Sequence, residues 1–469
     1  MSDKGFEDII RPGVSRGLDF VDLEELRKRT GTTPEEALKL GLAETLFNAL
    51  DKDDADKVIV EVSEDGDFHK LVVSDNGSKK LSEEELKLIF NVENKGSSKR
   101  GFLRVSRGYL GNALKCIIGY IYALALLAGL KPPDLVVQSG ENEYRIALKV
   151  DRIRELVKAE IVPAKRIDDG FTRFIMEFPK FDISDPKHPS RPSVLKDIIF
   201  ATSMVNPSRK VSYNIFGEKG SLGSDTSSKP IRRETSVLWY TSKQFLSLFK
   251  DYVKVKPEMM LKDLIALFRG FTSKKVIREI LQESTAAVNH DSQSSENVQF
   301  FPSTRISDLP EKAVIALFRI MRAKAKPIGN RSIKSVLGCV GEDSFEKLLE
   351  ENGWRRLRYV VMSSKRLECP AFYCSRRIGH GNCENSDHVE FPYLIELAVF
   401  DRKQDGEGLK VYQCVNFMAS MEDLFSRIFN IKYRLGRVGI TEETPVTVLV
   451  HLVCPVLKWL NYGKSGLDE

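Results

Sequence analysis

The sequence predicts an α+β protein of two or three domains, on three observations. The chain has 469 residues, which is long for a single hydrophobic core. Segments with helical and with strand periodicity are mixed along it. Two polar stretches, 221–236 and 289–297, interrupt these segments and predict connectors. Hydrophobic residues make up 42% and charged residues 29% of the chain, which is ordinary for a globular protein.

Charge, hydropathy and cysteine content narrow the possible functions. The net charge of +6 permits contact with nucleic acid but does not by itself indicate it. The charged start of the chain predicts no signal peptide, and the most apolar stretch, 116–130, is short for a membrane span and predicts a buried helix. Seven cysteines without an export signal predict no disulfides. We therefore expect a cytoplasmic protein with no membrane contact.

The first patterned segment is an apolar helix that carries polar side chains among its core positions. Glu44 and Asn48 are four residues apart and therefore project from the same helix face, with Asp51 following. Taken alone, such a pair is more often a solvated helix edge than a site. Its meaning depends on the segments that follow.

Strands and a glycine-rich stretch come next. Residues 57–77 predict two strands around an acidic-glycine turn, the second ending in Asp75 with Gly77 close behind. A charged helix and a flexible Gly/Ser/basic stretch, 95–115, then lead into the apolar helix. Residues 170–172, Gly-Phe-Thr, open a further strand. Each pattern is weak alone, but their order and spacing together predict a nucleotide site.

Each residue type suits that chemistry. The amide oxygen of Asn48 is a neutral, hard ligand for Mg²⁺, and the Glu44 carboxylate one turn away can orient and deprotonate water. A strand-end aspartate such as Asp75 can accept a hydrogen bond from the exocyclic amine of adenine, with Gly77 leaving room for the base. Glycines before a helix expose N–H groups to phosphate. The expected ligands are ATP and Mg²⁺.

The chain thus carries four short motifs in this order: Glu44-x-x-x-Asn48-x-x-Asp51, Asp75-x-Gly77, Gly108-x-x-Gly111 and Gly170-x-Thr172. They resemble those of the GHKL (Bergerat-fold) ATPase family, which includes gyrase and the histidine kinases. The resemblance implies Glu44 as general base and as metal ligand through water, Asn48 as the Mg²⁺ ligand, Asp75 as the adenine reader, and a lid over 95–112. The nucleotide contacts that it implies besides Asn48 and Asp75 are Asp51, Gly77, Gly108, Tyr109, Leu110, Gly111, Asn112, Ala113, Lys115 and Thr172.

The chain departs from the family pattern at two positions. Lys79 stands where the second motif usually carries another glycine, and Ala113 stands where the third motif usually ends in one. Both replacements stiffen the lid region, so the rate of turnover is not implied by the resemblance.

A resemblance to the B subunit of topoisomerase VI is carried by the segments 197–217, 392–402, 415–419 and 444–469, and the helices of 237–285 lie where that subunit has its helix–two-turns–helix domain. That resemblance implies an α/β sandwich ATPase domain over 1–232, a small helix–two-turns–helix-like domain over 233–308 and a ribosomal-S5-like α/β transducer domain over 309–469. It also implies that Lys464, in a Gly-Lys-Ser-Gly loop, is a catalytic switch lysine that contacts the γ-phosphate. That subunit continues into helices that couple it to its DNA-cleaving partner, and we expect either that such helices lie outside this sequence or that this protein does not dock such a partner in that way.

Local patterns predict the elements of this second half. The segments 241–253, 260–271, 272–282, 309–325 and 341–353 predict helices, with Thr241 and Thr272 as N-caps, and 392–400 and 444–453 predict strands.

Two functions of different classes follow. The first is an ATP-gated clamp that dimerises through an N-terminal strap, residues 1–30, and acts on DNA with an A-subunit-like cleavage partner. The chain itself carries no tyrosine with a clear Asp-x-Asp cluster, so cleavage would belong to that partner. The alternative is a stand-alone ATP-dependent switch acting on protein partners. A histidine-kinase role is disfavoured, because no phospho-acceptor histidine domain precedes the ATPase region.

One cluster lies outside the resemblance. Cys369, Cys374, His380 and Cys383 are thiolate and imidazole ligands of the kind that Zn²⁺ prefers. Their spacing is not that of a Cys-x-x-Cys pair, and a polar surface loop with incidental cysteines is the favoured interpretation. Neighbouring arginines such as Arg376 would equally suit DNA phosphates.

Overall fold

The computed structural model describes residues 17–52, 54–92, 103–105, 112–185, 188–223, 234–291, 299–368, 389–402, 408–421, 424 and 431–457. Within these ranges the chain forms two β-sheets with helices packed on and between them. A predominantly hydrophobic core extends from the first sheet through the central helices to one face of the second. The α+β class expected from the sequence is confirmed.

The first sheet has eight strands among the described residues, in the order β5-β4-β3-β6-β2-β1-β7-β8. Its neighbours pair antiparallel, except that β1 and β7 are parallel. The strands are β1 (Lys57–Asp65), β2 (Phe68–Asp75), β3 (Leu135–Ser139), β4 (Asn142–Asp151), β5 (Leu156–Lys165), β6 (Thr172–Pro179), β7 (Lys210–Ile215) and β8 (Glu218–Leu222).

In the described part of this half, the sheet is accompanied by the helices α1 (Leu23–Thr30), α2 (Ala37–Leu50), α3 (Glu83–Phe90), α4 (Ala113–Leu127) and α5 (Pro192–Met204). α2 packs tightly on the sheet because Gly41 has no side chain, and a Cβ added there would lie 2.7 Å from Cζ of Phe178. α4 corresponds to the apolar stretch of the sequence, and most of it is buried as predicted. No helix in the described part of the chain is long and apolar enough to span a membrane.

The middle of the chain is helical. Its helices are α6 (Ser242–Val255), α7 (Leu261–Ala266), α8 (Lys274–Asp291), α9 (Glu311–Lys324), α10 (Ile333–Leu337) and α11 (Glu342–Glu351). Thr241 caps α6 through its side chain, which accepts from the Gln244 N–H, as predicted. Aromatic rings hold these helices together: the Phe245 and Phe318 centroids are 4.8 Å apart, and Phe245 also packs on Phe268.

The second sheet has the order β12-β11-β13-β10-β9 within the described ranges. Its elements are β9 (Arg355–Glu368), β10 (Val389–Asp401), β11 (Lys410–Val415), β12 (Met418–Ala419) and β13 (Thr447–Val453), and α12 (Ile431–Gly436) lies between β12 and β13 in the chain. Both strands predicted in this region, at 392–400 and 444–453, are confirmed.

The second sheet contacts α5, a helix that accompanies the first sheet, and the residues just after that helix. The Asn206 amide donates to the Phe417 carbonyl (2.8 Å), and the Tyr412 hydroxyl donates to Asp197 (2.7 Å). Phe417 lies in the tight turn between β11 and β12, where it and Asn416 have positive φ angles of 66° and 49°. Such angles are strained for residues with a side chain. The turn is held by hydrogen bonds on both sides.

Three local predictions were wrong. Residues 221–222 belong to β8, where Leu222 pairs with Val211, and the predicted connector at 289–297 begins with residues 289–291 of α8. α8 begins at Lys274, so Thr272 is not its N-cap. Pairing with a neighbouring strand or continuation of a helix decides such boundaries, and composition alone does not reveal either. The bounds of the three domains remain predictions.

Candidate functional site

α2 carries the first two predicted site residues. Each of its fourteen residues is buried except Asn48, which is partly exposed. Glu44, one turn earlier, is 3% exposed although it carries a carboxylate. The helix therefore places a buried acid directly beneath an amide that reaches solvent.

Asp75 and Thr172 meet at the end of the central strands. Asp75 is the last residue of β2 and Thr172 is the first of β6, and the two are paired across the antiparallel ladder. The Thr172 side chain is fully buried, yet its hydroxyl has no hydrogen-bond partner among the described residues. Buried hydroxyls are almost always paired, so an unpaired one beside a buried carboxylate indicates a place where a ligand or water completes the bonding.

Gly77 and Gly170 shape the turns beside this pair. The Gly77 N–H donates to Asp75 Oδ1 (3.0 Å), and a Cβ at Gly77 would lie 2.6 Å from Cδ of Lys52. Gly170 has a φ of 83°, which favours glycine, and its N–H donates to Asp168 (2.9 Å). The positive φ of Gly170 favours glycine, and Gly77 leaves room that the Lys52 stem fills.

Lys52 is a site residue that the sequence analysis missed. Its ammonium lies 2.7 Å from Oδ1 and 2.8 Å from Oδ2 of Asp75. Burial raises the pKa of Asp75, and Lys52 opposes that shift without cancelling it. Nothing in the local sequence distinguishes Lys52 from a solvated lysine after a helix, because Asp75 lies 23 residues further along the chain.

Lys80 was also missed. Its ammonium donates to the carbonyl of Gly170 (2.8 Å) and to that of Gly77 (3.3 Å). Lys80 therefore connects the turn after β2 to the turn before β6, so the two glycine-containing turns lie together at one edge of the candidate site.

The start of α4 carries two further predicted site residues. Asn112 and Lys115 are buried, and burial lowers the pKa of the Lys115 ammonium to about 8. Burial raises the pKa of Cys116 to about 12, and Glu44 adds to this increase while Lys115 opposes it. Glu44 and Lys115 therefore lie within electrostatic range of the same thiol, on adjacent helices.

The remaining predicted site residues divide into two groups. Asp51 and Ala113 are described: Asp51 caps the end of α2 with its N–H donating to the Phe47 carbonyl (3.0 Å), and Ala113 begins α4. Those outside the described residues are Gly108, Tyr109, Leu110, Gly111, Lys464, Cys369, Cys374, His380 and Cys383. Among the described residues, no cluster of three or more His, Cys, Asp or Glu suits a metal ion.

The residues present fit a nucleotide with Mg²⁺. The unpaired Thr172 hydroxyl and the Asp75 carboxylate offer a donor and an acceptor side by side to the edge of a base. Asn48 offers an amide oxygen, the kind of ligand that a hydrated Mg²⁺ accepts. The site residues of the sequence analysis remain predictions, with Asp75, Gly77 and Thr172 brought together.

Comparison with known proteins gives weak similarities. No family model matches the sequence, and no curated protein matches it. Among solved structures, the B subunit of DNA gyrase from Myxococcus xanthus is similar with a TM-score of 0.35 and 9% identity over 95% of this chain and 90% of that one.

Two further structures give similar values. The ATPase region of Saccharomyces cerevisiae topoisomerase II has a TM-score of 0.36 and 9% identity over 93% of this chain and 77% of that one. The ATPase domain of Thermus thermophilus gyrase B, in complex with an aminocoumarin, has a TM-score of 0.34 and 12% identity over 96% and 85%. These values are low, and the functional assignment has to come from the side chains of the site.

Proposed function

We propose that this protein is an ATP-binding and ATP-hydrolysing enzyme of the GHKL type. The observation that carries the proposal is the paired end of β2 and β6, where a buried carboxylate, Asp75, lies opposite a buried hydroxyl without a partner, Thr172. An adenine edge presents an amine donor next to a ring-nitrogen acceptor. Asp75 and the Thr172 hydroxyl match that pattern.

The catalytic groups come from α2. Glu44 is buried one turn from the partly exposed Asn48, so its carboxylate can hold and deprotonate a water at the inner wall of the site. Asn48 would hold Mg²⁺, which when bound neutralises phosphate charge. Lys115, with its pKa lowered to about 8 by burial, lies at the helix start that would face the phosphates.

The first test separates hydrolysis from binding in the full chain. Glu44→Gln preserves the volume of a buried side chain but removes the base, so phosphate release should fall by about 10²-fold or more. Calorimetric affinity for a non-hydrolysable ATP analogue should stay within about twofold of the wild type. Normal turnover in this variant would remove Glu44 from the mechanism.

Calorimetric titration with the same analogue also tests Asp75 and Thr172, the pair that we propose binds the base. Thr172→Val keeps the shape of the side chain and removes the hydroxyl, and Asp75→Asn removes the charge, so both should weaken analogue binding. Asp65→Asn, at the exposed opposite end of the β1–β2 hairpin, is the matched control and should bind normally. Wild-type affinity in both site variants would contradict the nucleotide assignment.

The wider role that we propose is a dimerising clamp similar to the B subunit of topoisomerase VI, acting on DNA with a separate cleavage protein. The positive net charge of +6 is compatible with this role, and the sequence motifs support it. Stimulation of phosphate release by duplex DNA tests the proposal. An ATPase rate that is indifferent to DNA would instead favour a stand-alone switch that acts on proteins.

A further inference from the structure

The Lys52 side chain lies where the proposed base would bind. Its ammonium contacts both carboxylate oxygens of Asp75, at 2.7 and 2.8 Å, and only 5% of the Asp75 side chain is exposed. Its stem covers Gly77, since Cδ lies 2.6 Å from the position of a Cβ on that glycine. The open surface that glycine provides there is therefore filled by Lys52.

Counting acceptor positions shows how little of Asp75 is left for a ligand. Each carboxylate oxygen can accept about two hydrogen bonds. Oδ1 accepts from Lys52 and from the Gly77 N–H, and Oδ2 accepts from Lys52. Counting donors from the described residues alone, an arriving exocyclic amine finds one position free, and the Lys52 stem covers the adjoining surface.

We propose that Lys52 is an internal competitor for the base, so that a nucleotide binds only after displacing the Lys52 ammonium from Asp75. The inference rests on the proposed nucleotide-binding function and extends it to the control of affinity. The protein with Lys52 withdrawn is the form that binds. The apparent affinity is reduced in proportion to the fraction of molecules in that form.

The surroundings allow the side chain to leave without moving the backbone. Lys52 lies beyond the end of α2, and its side chain is 19% exposed, so the flexible stem has a path to solvent. Asp54 accepts from the Ser78 N–H (2.9 Å) and so holds the turn after β2 in place. Its carboxylate is within electrostatic range of Lys52 and offers the displaced ammonium a second negative partner.

The direction in which nucleotide affinity changes when Lys52 loses its charge distinguishes a competing lysine from one that attracts phosphate. A lysine beside a polyphosphate normally attracts it, so removing the charge would weaken binding. A lysine that competes with the base has the opposite effect, and removing it strengthens binding.

The test is calorimetric titration of the full chain with a non-hydrolysable ATP analogue, after thermal melting has shown that each variant is folded. Lys52→Met removes the charge, and we expect affinity to increase by about tenfold, because a hydrogen-bonded charge pair no longer has to be broken. Lys52→Arg forms a two-pronged pair with Asp75, and we expect affinity to fall. Lys180→Met removes another paired lysine, at the far end of β6, and should leave affinity unchanged.

Each outcome has one meaning. Equal or weaker binding by Lys52→Met, with clear binding by the wild type, would overturn the competitor role and leave the proposed function standing. No binding by the wild type or any variant would overturn the proposed function itself. Should Lys52→Met fail to fold, unchanged or stronger binding by Lys52→Arg would overturn the competitor role by itself.

Discussion

The Glu396 carboxylate in the middle of β10 is buried at 3% exposure and accepts hydrogen bonds from four groups. These are the Tyr359 hydroxyl, the His451 ring at 2.7 Å, and the backbone N–H groups of Val340 and Gly341 at 3.1 and 3.2 Å. One side chain thus joins β9, β10, β13 and the segment before α11. Hydrogen bonds from three separate parts of the chain stabilise the charge of Glu396.

The state of His451 follows from its two neighbours. Its Nε2 accepts from the Phe417 N–H (3.1 Å), so the proton lies on Nδ1, which donates to Glu396. The ring links the carboxylate to the turn between β11 and β12. That same turn contacts Asn206, beyond the end of α5.

The pKa of Glu396 predicts a pH-dependent stability. Burial raises this pKa, but the hydrogen bonds from His451, Tyr359 and Val340 outweigh burial and bring it below the ordinary value of 4.5. A lowered carboxyl pKa stabilises the fold above the unfolded value, and this contribution is lost as pH falls through the folded value.

Glu396→Gln should therefore lower the free energy of unfolding at pH 7 by about 3–5 kcal/mol, because it puts an amide donor among four other donors. The difference from the wild type should shrink below pH 4.5. Urea unfolding at both pH values measures this. Glu390→Gln on the same strand, whose partner Lys365 is 2.8 Å away at the surface, should cost about 1 kcal/mol or less. Equal losses in the two variants would contradict the prediction.

At the scale of elements, α4 is the helix against which the described N-terminal segment packs. Phe20 and Leu26 of that segment lie directly on Gly119. A Cβ at Gly119 would be 1.8 Å from the Phe20 carbonyl oxygen, a distance that no backbone tolerates. The Tyr120 hydroxyl next to it donates to the Thr32 carbonyl (2.7 Å) and fixes the end of α1.

Gly119→Ala should therefore push the segment 18–30 off α4. We expect the free energy of unfolding to fall by about 1–3 kcal/mol, as overpacking usually costs, and limited proteolysis to cut within this segment sooner than in the wild type. Gly329→Ala is the control, since no atom of the described residues lies within 4 Å of the added atom. If Gly119→Ala melts and is cleaved like the wild type, the described packing of α1 on α4 is wrong.

At the scale of the whole molecule, the second sheet is joined to the N-terminal half by contacts with α5 and with Asn206 just after it. α5 accepts hydrogen bonds across this contact through Asp197 and Thr202, Asn206 just beyond it donates one, and the strained Phe417 turn lies within the contact. Lys464, the residue that the resemblance implies as the switch, lies outside the described residues, and its role remains a prediction.

The proposed clamp predicts a change in mass on binding nucleotide. The wild type should be a monomer or weakly associated alone and a dimer with a non-hydrolysable ATP analogue, because the ordered site would favour the closed pair. Light scattering measures the mass. Asp75→Asn, which should bind the analogue weakly, is the control at the same analogue concentration. An unchanged mass for a wild type that binds the analogue would count against the clamp.

The sequence by itself determined the local features of the candidate site. The apolar periodicity around Glu44 and Asn48, the strand that ends at Asp75 and the glycine turn before Thr172 all depend on residues close together in the chain. Each of these elements was predicted and is confirmed. The polar composition of 221–222 and 289–291 wrongly predicted connectors. Whether a polar segment pairs as a strand or continues a helix depends on its neighbours in space.

Only the tertiary structure decided which of these residues meet. Thr172 lies opposite Asp75 because strands almost a hundred residues apart pair in one register, and Glu396 binds His451 for the same kind of reason. The position of Lys52 on Asp75 depends on how the end of α2 packs over the sheet. Local periodicity predicts which face of an element is buried, but it does not predict which distant side chain pairs with a buried charge.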